Sequence, residues 1–331
     1  MKNLFGQAQF TEHLTLGVNE DFSALAISIF RRQAIQNPVY AAYLGHLKVD
    51  EAKVKAIREI PFLPISFFKS HVLKSGEFAE TFIFESSGTT GDVVSKHWVT
   101  DLNIYASSFN KGFELCYGHP SEYCIIGLLP SYLERAHSSL VYMVNHLIKQ
   151  SSHASSGFYL NEFEKLNTVL QELETKEQKT ILIGVSFALM DFADAFPQQL
   201  KYTIVMETGG MKGRRTEMIK PMLHSYLKDR LGTSTIHSEY GMTELLSQAY
   251  AVKEGVFRCP PWMKMLVGDE EDPGQLKKVG KGILHVIDLA NIYSCAFIAT
   301  EDIAEVYEDG SFSILGRADN SDRRGCSLLV V

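Results

Sequence analysis

Long apolar runs, paired cysteines and an excess of positive charge are all missing from this 331-residue sequence, and each absence excludes a class of protein. Its longest apolar runs, such as Tyr123 to Leu129, have the length of a strand, far below the roughly 20 residues a membrane-spanning helix needs. No apolar stretch precedes Glu12 and His13, so no secretory leader is expected. The five cysteines (116, 124, 259, 295 and 326) are odd in number, scattered and without a C-x-x-C pair. That fits reduced thiols in a cytoplasm better than a disulfide framework. With 32 Lys+Arg against 39 Asp+Glu, the net charge of −7 argues against a nucleic-acid-binding protein. Charged residues make up 21% of the chain, a little below the roughly 25% of soluble domains, so disorder is not expected. The eleven histidines form no H-E-x-x-H and do not cluster with cysteine, which leaves zinc unsupported. There is no G-x-S-x-G elbow either, since GVSFA (184–188) ends in alanine. What remains is a soluble intracellular chain, long enough for one large domain or one domain with a smaller appendage.

The first 60 residues read as helices. Phe22, Leu25, Ala26, Ile29 and Phe30 have helical spacing over 21–36, with Asn19 or Asp21 as a cap. A second helix should begin after Asn37-Pro38 and a third should run from Asp50 to Glu59. Pro61 and Pro64 then make 60–71 an aromatic-rich loop lying on the core. From residue 81 strand-length apolar runs recur at 81–85, 123–129, 180–185, 202–207 and 234–237. Helix-period segments alternate with them at 101–115, 137–150, 161–175, 186–195 and 213–231. This alternation predicts an α/β fold with a mostly parallel, doubly wound sheet. Beyond about residue 250 the pieces are β-rich (282–289, 295–300, 303–308 and 311–316), with a hairpin turn at 308–310. The expected organisation is therefore an N-terminal helical segment (1–80) packed on an α/β nucleotide-binding core (81–250), followed by a β-rich sublobe (251–331).

The most informative stretch is Glu85-Ser-Ser-Gly-Thr-Thr-Gly91, directly after the first strand. Its backbone N–H groups and hydroxyls can converge on an anion, and its glycines allow close approach. It is not the P-loop, which would need glycine where Val93 stands, and it is not the dinucleotide fingerprint. Alone, the same run is also what a flexible surface loop is made of. Four further segments change the weighting: TGGMKG (208–213), SEYGMTE (238–244), ATED (299–302) and LGRADNSDRRG (315–325). The first three follow strands, where ligands bind in open α/β sheets, and should face one crevice shared with the 86–91 loop.

SSGTTG, YGMTE, a T-x-D and a GRADNSD hinge, in this order, resemble the AMP-forming, adenylate-forming synthetase superfamily. Within it, IPFLPISFFKSH, TGGMKGRR and RRGCSLL resemble the acyl-protein synthetases of bacterial fatty-acid reductase systems. The resemblance implies an ATP- and Mg²⁺-dependent ligase that activates a carboxylic acid, with an acyl-reductase or acyl-carrier protein as partner. It implies that Ser86, Ser87, Gly88, Thr89, Thr90 and Gly91 grip the β- and γ-phosphates. Gly209 and Gly210 would line the adenine slot, Tyr240 would flank the base, and Gly241 would belong to the same nucleotide-binding set. Thr243 would contact the α-phosphate, Glu244 would be the Mg²⁺ ligand, Asp302 would hold the ribose, and Arg317 would contact ribose or phosphate. Asp319 marks the hinge.

Other readings stay open beside these. Glu244 also suits a helix N-terminus, Tyr240 suits core packing, and Arg317 with Asp319 suits a surface ion pair. Val94 stands where the common pattern has a lysine, and the nearest lysine is Lys96. Only six residues follow Gly325, so a cap domain and its lysine are not expected, and Lys69, Lys96 or Lys212 would have to substitute. His137 lies where relatives place a group gating the acyl pocket, and a helix surface suits it equally. Arg323 and Arg324 would favour a Cys326 thiolate, and in the resembling enzymes such a cysteine accepts the acyl group. The alternative is a packed, inert thiol in the terminal CSLLVV. The resemblance also leaves room for a CoA ligase of the phenylacetate type and for a non-catalytic binding subunit.

Overall fold

Strands with apolar side chains on both faces must be covered on both faces, and the computed structural model is organised around such strands. It describes residues 22–80, 82–86, 93–130, 137–160, 162–209, 218–269 and 275–318. The N-terminal part holds α1 (Phe22–Gln36), α2 (Pro38–His46), β1 (Leu63–Pro64) and α3 (Phe67–Ser70). A hairpin follows, β2 (Phe82–Glu85) and β3 (Lys96–Val99), and then α4 (Leu102–Tyr117). The alternating region comprises β4 (Cys124–Leu128), α5 (Ser139–Ser151), β5 (Gly157–Phe158), α6 (Phe163–Thr175) and β6 (Thr180–Val185). It continues with α7 (Ser186–Ala195), β7 (Thr203–Thr208), α8 (Lys220–Leu231) and β8 (Ile236–Tyr240). The remaining strands are β9 (Ala249–Ala251), β10 (Val256–Phe257), β11 (Met263–Gly268), β12 (Leu276–Lys277), β13 (Gly280–Asp288), β14 (Phe297–Val306) and β15 (Phe312–Arg317).

The central sheet has the order β5-β4-β6-β7-β8-β9, parallel throughout except for the antiparallel β8–β9 pair. Every residue of β4 and of β6 is buried, so the predicted α/β class with a mostly parallel sheet holds. Intervening helices form for local reasons. Ser138 caps α5 by accepting from Val141 N, and α6 buries Leu166, Leu170 and Leu173 on one stripe. A second sheet, β10-β15-β14-β13-β11-β12, is antiparallel and makes the C-terminal part β-rich. Residues 22–80 attach to it: β1 runs parallel to β14, with Leu63 opposite Ile298. Gln33 donates to the Asn291 carbonyl at 2.8 Å and accepts from Ala296 N, and Asn37 donates to the Ser294 carbonyl. No described helix is long and apolar enough to cross a membrane.

Several local expectations need correction. The helix expected over 50–59 is a 3₁₀ turn at Ile57–Glu59, because the Glu59 carboxylate takes the Lys55 and Ala56 N–H groups and tightens the chain. The 60–71 segment is not wholly loop, since Pro64 sits in an edge strand that needs no N–H from it. β2 lies outside the parallel sheet and pairs antiparallel with β3, a strand not anticipated. The strand expected at 234–237 lies at Ile236–Tyr240, so Tyr240 ends it. The runs at 295–300 and 303–308 form one strand, β14, so Asp302 lies within it beside a register shift at Ile303/Ala304. Asn19 and Asp21, the candidate caps of α1, lie outside the described residues.

Candidate active site

The phosphate-type loop is pinned at its neck. Ser86 N–H donates to the Ser95 carbonyl at 3.0 Å, and Ser95 N–H donates to Ser86 Oγ at 2.9 Å. Ser95, directly before β3, is buried, and β3 turns its alternate side chains His97 and Val99 inward. His97 Nδ1 lies 2.8 Å from the Thr243 carbonyl. A carbonyl only accepts, so the imidazole carries its proton on Nδ1. Burial pushes the His97 pKa down to about 4, which keeps the ring neutral. The Ser95 hydroxyl acts on the Glu244 carboxyl and lowers its pKa. The hairpin and the YGMTE segment are thus bonded to each other.

Glu244 is 5% exposed. Burial raises its pKa, offset in part by the Ser95 hydroxyl, its own N–H, and the charges of Lys69 and Arg317. Its carbonyl accepts from Asn291 Nδ2 at 2.8 Å, and Asp288 takes the N–H groups of Leu246 and Ser247 just beyond it. The donor set fits Mg²⁺: a buried oxygen donor whose ionised form is under-compensated suits a hard cation, and Mg²⁺ commonly keeps its remaining ligands as water and phosphate oxygens. No group of three or more carboxylate, histidine or cysteine ligands exists among the described residues.

A second cluster adjoins the first. The Tyr240 hydroxyl donates to Asp302 Oδ2 at 2.7 Å, and Arg317 Nε lies 3.6 Å from Asp302 Oδ1. Asp302 and Arg317 face each other across the β14–β15 ladder. The Tyr240 ring meets Phe257 and Phe312 edge-on. Burial raises the Asp302 pKa, and the Tyr240 hydroxyl and Arg317 charge oppose it. Arg317 is 73% exposed and also reaches Glu301, which offers its guanidinium to solvent above a buried carboxylate.

Gly209 ends β7 with φ +69°, a left-handed conformation that suits glycine. Its carbonyl accepts from Ser186 Oγ, which also donates to Glu207. Gly241 is packed so closely that a Cβ would stand 2.4 Å from Glu239 Oε1. Glu239 is buried and accepts from Thr208 Oγ1. Burial raises its pKa to about 7 against the Thr208 hydrogen bond, with the Glu207 charge adding to the rise and Lys220 opposing it.

An unfolded glutamate titrates at its ordinary 4.5, so between pH 4.5 and about 7 the folded state holds the extra proton. Stability then falls as pH rises through that window, by up to about 3 kcal/mol. Glu239→Gln should flatten this slope in urea-unfolding midpoints taken between about pH 5 and 8. A variant with the wild-type slope would count against the assignment.

Of the residues expected in the site, the structure joins Ser86, Thr243 and Glu244 through Ser95 and His97, and joins Tyr240, Asp302 and Arg317 to one another. The Arg317 charge bears on both Glu244 and Tyr240, linking the groups. Gly209 and Gly241 stand at the carboxyl ends of β7 and β8, where open α/β sheets bind ligands. Ser87, Gly88, Thr89, Thr90, Gly91, Gly210, Lys212, Asp319 and Cys326 lie outside the described residues. Lys96 pairs with Glu85 at 3.4 Å, whereas the Lys69 charge acts on Glu244. His137 is exposed, accepts Glu85 N–H at its carbonyl, and rests beside Phe82. Ser95, His97, Glu207, Glu239 and Asn291 were not anticipated. A charged residue inside an otherwise apolar strand, as in TIVMET, is the signal that could have found Glu207.

The mostly parallel sheet with its β-rich C-terminal partner is the adenylation fold of the AMP-forming ligases. Residues 19–331 match the family described as acyl-protein synthetase, LuxE, and the chain belongs to that family. ATP-bound MatB from Rhodopseudomonas palustris is similar in structure, with TM-score 0.56 and 15% identity over 76% of this chain and 50% of that one. An ATP-bound RpMatB-BxBclM chimera gives 0.55 and 16% over 75% of this chain and 49% of that one. O-succinylbenzoate coenzyme A synthetase, MenE, from Bacillus subtilis with AMP gives 0.50 and 17% over 74% of this chain and 50% of that one. The chain spans about half the length of these structures. Among curated proteins no match is found.

Proposed function

We propose that this protein uses ATP to activate a carboxylic acid, a fatty acid by family, and passes the acyl group to a thiol. The substrate carboxylate oxygen attacks the α-phosphorus, the bond to the β-phosphate oxygen breaks, and pyrophosphate leaves with the acyl-adenylate left behind. A thiolate then attacks the acyl carbonyl, the bond to AMP breaks, and a thioester forms. Cys326 is the thiol assigned this role, with an acyl-reductase as the onward partner in the cytoplasm.

The observation that carries this reading is the joining of the Ser86 neck to Thr243 and Glu244, and of Tyr240 at the end of β8 to Asp302 and Arg317 of the second sheet. A carboxylate is a weak nucleophile towards a polyanion, so rate comes from positioning and charge neutralisation. Tyr240 orients Asp302 to accept from ribose hydroxyls. Arg317 and Lys69 bring positive charge to the phosphates, Lys69 being suited to the place of the cap-domain lysine. Glu244 would hold Mg²⁺, which when bound neutralises phosphate charge. The MatB and MenE structures contain ATP and AMP, which supports a nucleotide in the equivalent crevice.

The test is incubation with ATP, Mg²⁺ and a panel of saturated and aromatic acids, following pyrophosphate and intact mass. Pyrophosphate release with a hydroxylamine-labile adduct that disappears in Cys326→Ser is the expected result. Release without an adduct but dependent on CoA would move the acceptor to CoA, and no release with any acid would overturn the reading.

A further inference from the structure

We propose that Ser95 and His97 are positioning residues that hold Glu244 and Thr243 in fixed relation to the neck of the phosphate-type loop. The inference deepens the adenylation reading and rests on it. Ser95, directly before β3, and His97 within it are both buried, and they act on two consecutive residues of the segment after β8. His97 Nδ1 donates to the Thr243 carbonyl at 2.8 Å, and the Ser95 hydroxyl favours the ionised form of Glu244, the next residue.

The same Ser95 closes the neck through both its N–H and its carbonyl, bonded to Ser86 Oγ and Ser86 N. Ser95 therefore ties the first serine of the loop to the strand on which His97 holds Thr243, the residue before the carboxylate expected to meet the cation. Both side chains are nearly inaccessible, 2% and 1% exposed, so neither contacts a ligand directly. His97 is braced by the edge of Phe68, on α3 beside Lys69, so the turn bearing that cation is tied to the same unit. A neutral imidazole suits the role. It supplies a rigid donor to a carbonyl without adding a buried charge next to the site.

Two readouts test this without depending on turnover alone. The first is Mn²⁺ affinity in the complex with α,β-methylene-ATP, measured by proton relaxation on the full-length protein. Residues that orient a metal ligand typically contribute about 10–100-fold to metal affinity or activity. Ser95→Ala should weaken Mn²⁺ by that order and leave nucleotide affinity in EDTA unchanged, while Ser95→Thr, which keeps the hydroxyl, retains wild-type affinity. The second is pyrophosphate release. His97→Ala should lower kcat by about 10–100-fold with a much smaller change in KM for ATP, and His97→Asn, whose amide can donate to the same carbonyl, should restore most of it.

Wild-type Mn²⁺ affinity in Ser95→Ala, or losses that track thermal stability with no rescue by asparagine, would overturn the proposal. Wild-type protein that binds Mn²⁺ and the analogue but releases no pyrophosphate with any acid defeats the adenylation reading alone, because the metal readout still judges the pair. Wild-type protein that binds neither defeats both.

Discussion

Glutamine in place of Glu244 is expected to cut acid-dependent pyrophosphate release by about 10²–10³-fold, the usual cost of removing one preorganised electrostatic group. The substitution keeps size and an oxygen that can accept from Ser95, and removes only the charge. Because burial raises the Glu244 pKa, the ionised side chain is a burden on the folded state. The variant should therefore unfold at the same temperature as the wild type or a higher one. Low activity in a protein of undiminished stability would locate the loss in the site rather than in the fold. Activity within a few-fold of wild type would remove Glu244 from the phosphate chemistry.

The largest stability effect is expected at Lys220, behind the Gly209 turn. Its amine pairs with Glu207 Oε1, which also receives His224 Nε2 at 3.5 Å. Burial raises the Glu207 pKa, but the Lys220 charge and hydrogen bonds from His224, Lys220 and Ser238 outweigh it and bring it to about 2. Lys220→Met leaves that carboxylate buried without its cation. Breaking a buried pair in this way costs about 3–5 kcal/mol, a large share of the stability of a typical domain. Adding Glu207→Leu should recover most of the loss, since an apolar pair of similar volume avoids desolvating two charges. Urea-unfolding midpoints of the single and double variants check this. Equal destabilisation in both would place the cost in packing rather than charge.

How far the sequence reaches depends on whether an interaction is local. The buried parallel strands were legible because each is a short apolar run between helix-period segments. The ends of β7 and β8 were legible because TGG and YGMTE stand directly after strand-length apolar runs. The 3₁₀ turn at Ile57–Glu59 was missed because one side-chain contact from Glu59 overrode a moderate helix pattern. β3 was missed because Lys96-His-Trp-Val99 lacks a clean apolar alternation, and its partner and the groups its inward residues bind lie elsewhere in the chain. Ser95 and His97 carry no motif, and their meaning appears only when residues far away in sequence reach them. The same holds for Glu239, whose neighbour Gly241 reads as a ligand-approach glycine but also clears room for a buried carboxyl.

The attachment of β1 to β14 bears on how this molecule comes into being. Leu63 pairs with Ile298, and Gln33 and Asn37 find their partners at Asn291, Ser294 and Ala296. The strand bearing Asp302 is therefore completed by chain made early, held waiting until chain made late arrives. Closures of such long sequence separation are slow and leave unpaired edges exposed in the meantime. A nascent chain on the ribosome can fold its parallel layer, yet it cannot join Tyr240 to Asp302 until synthesis has passed β14.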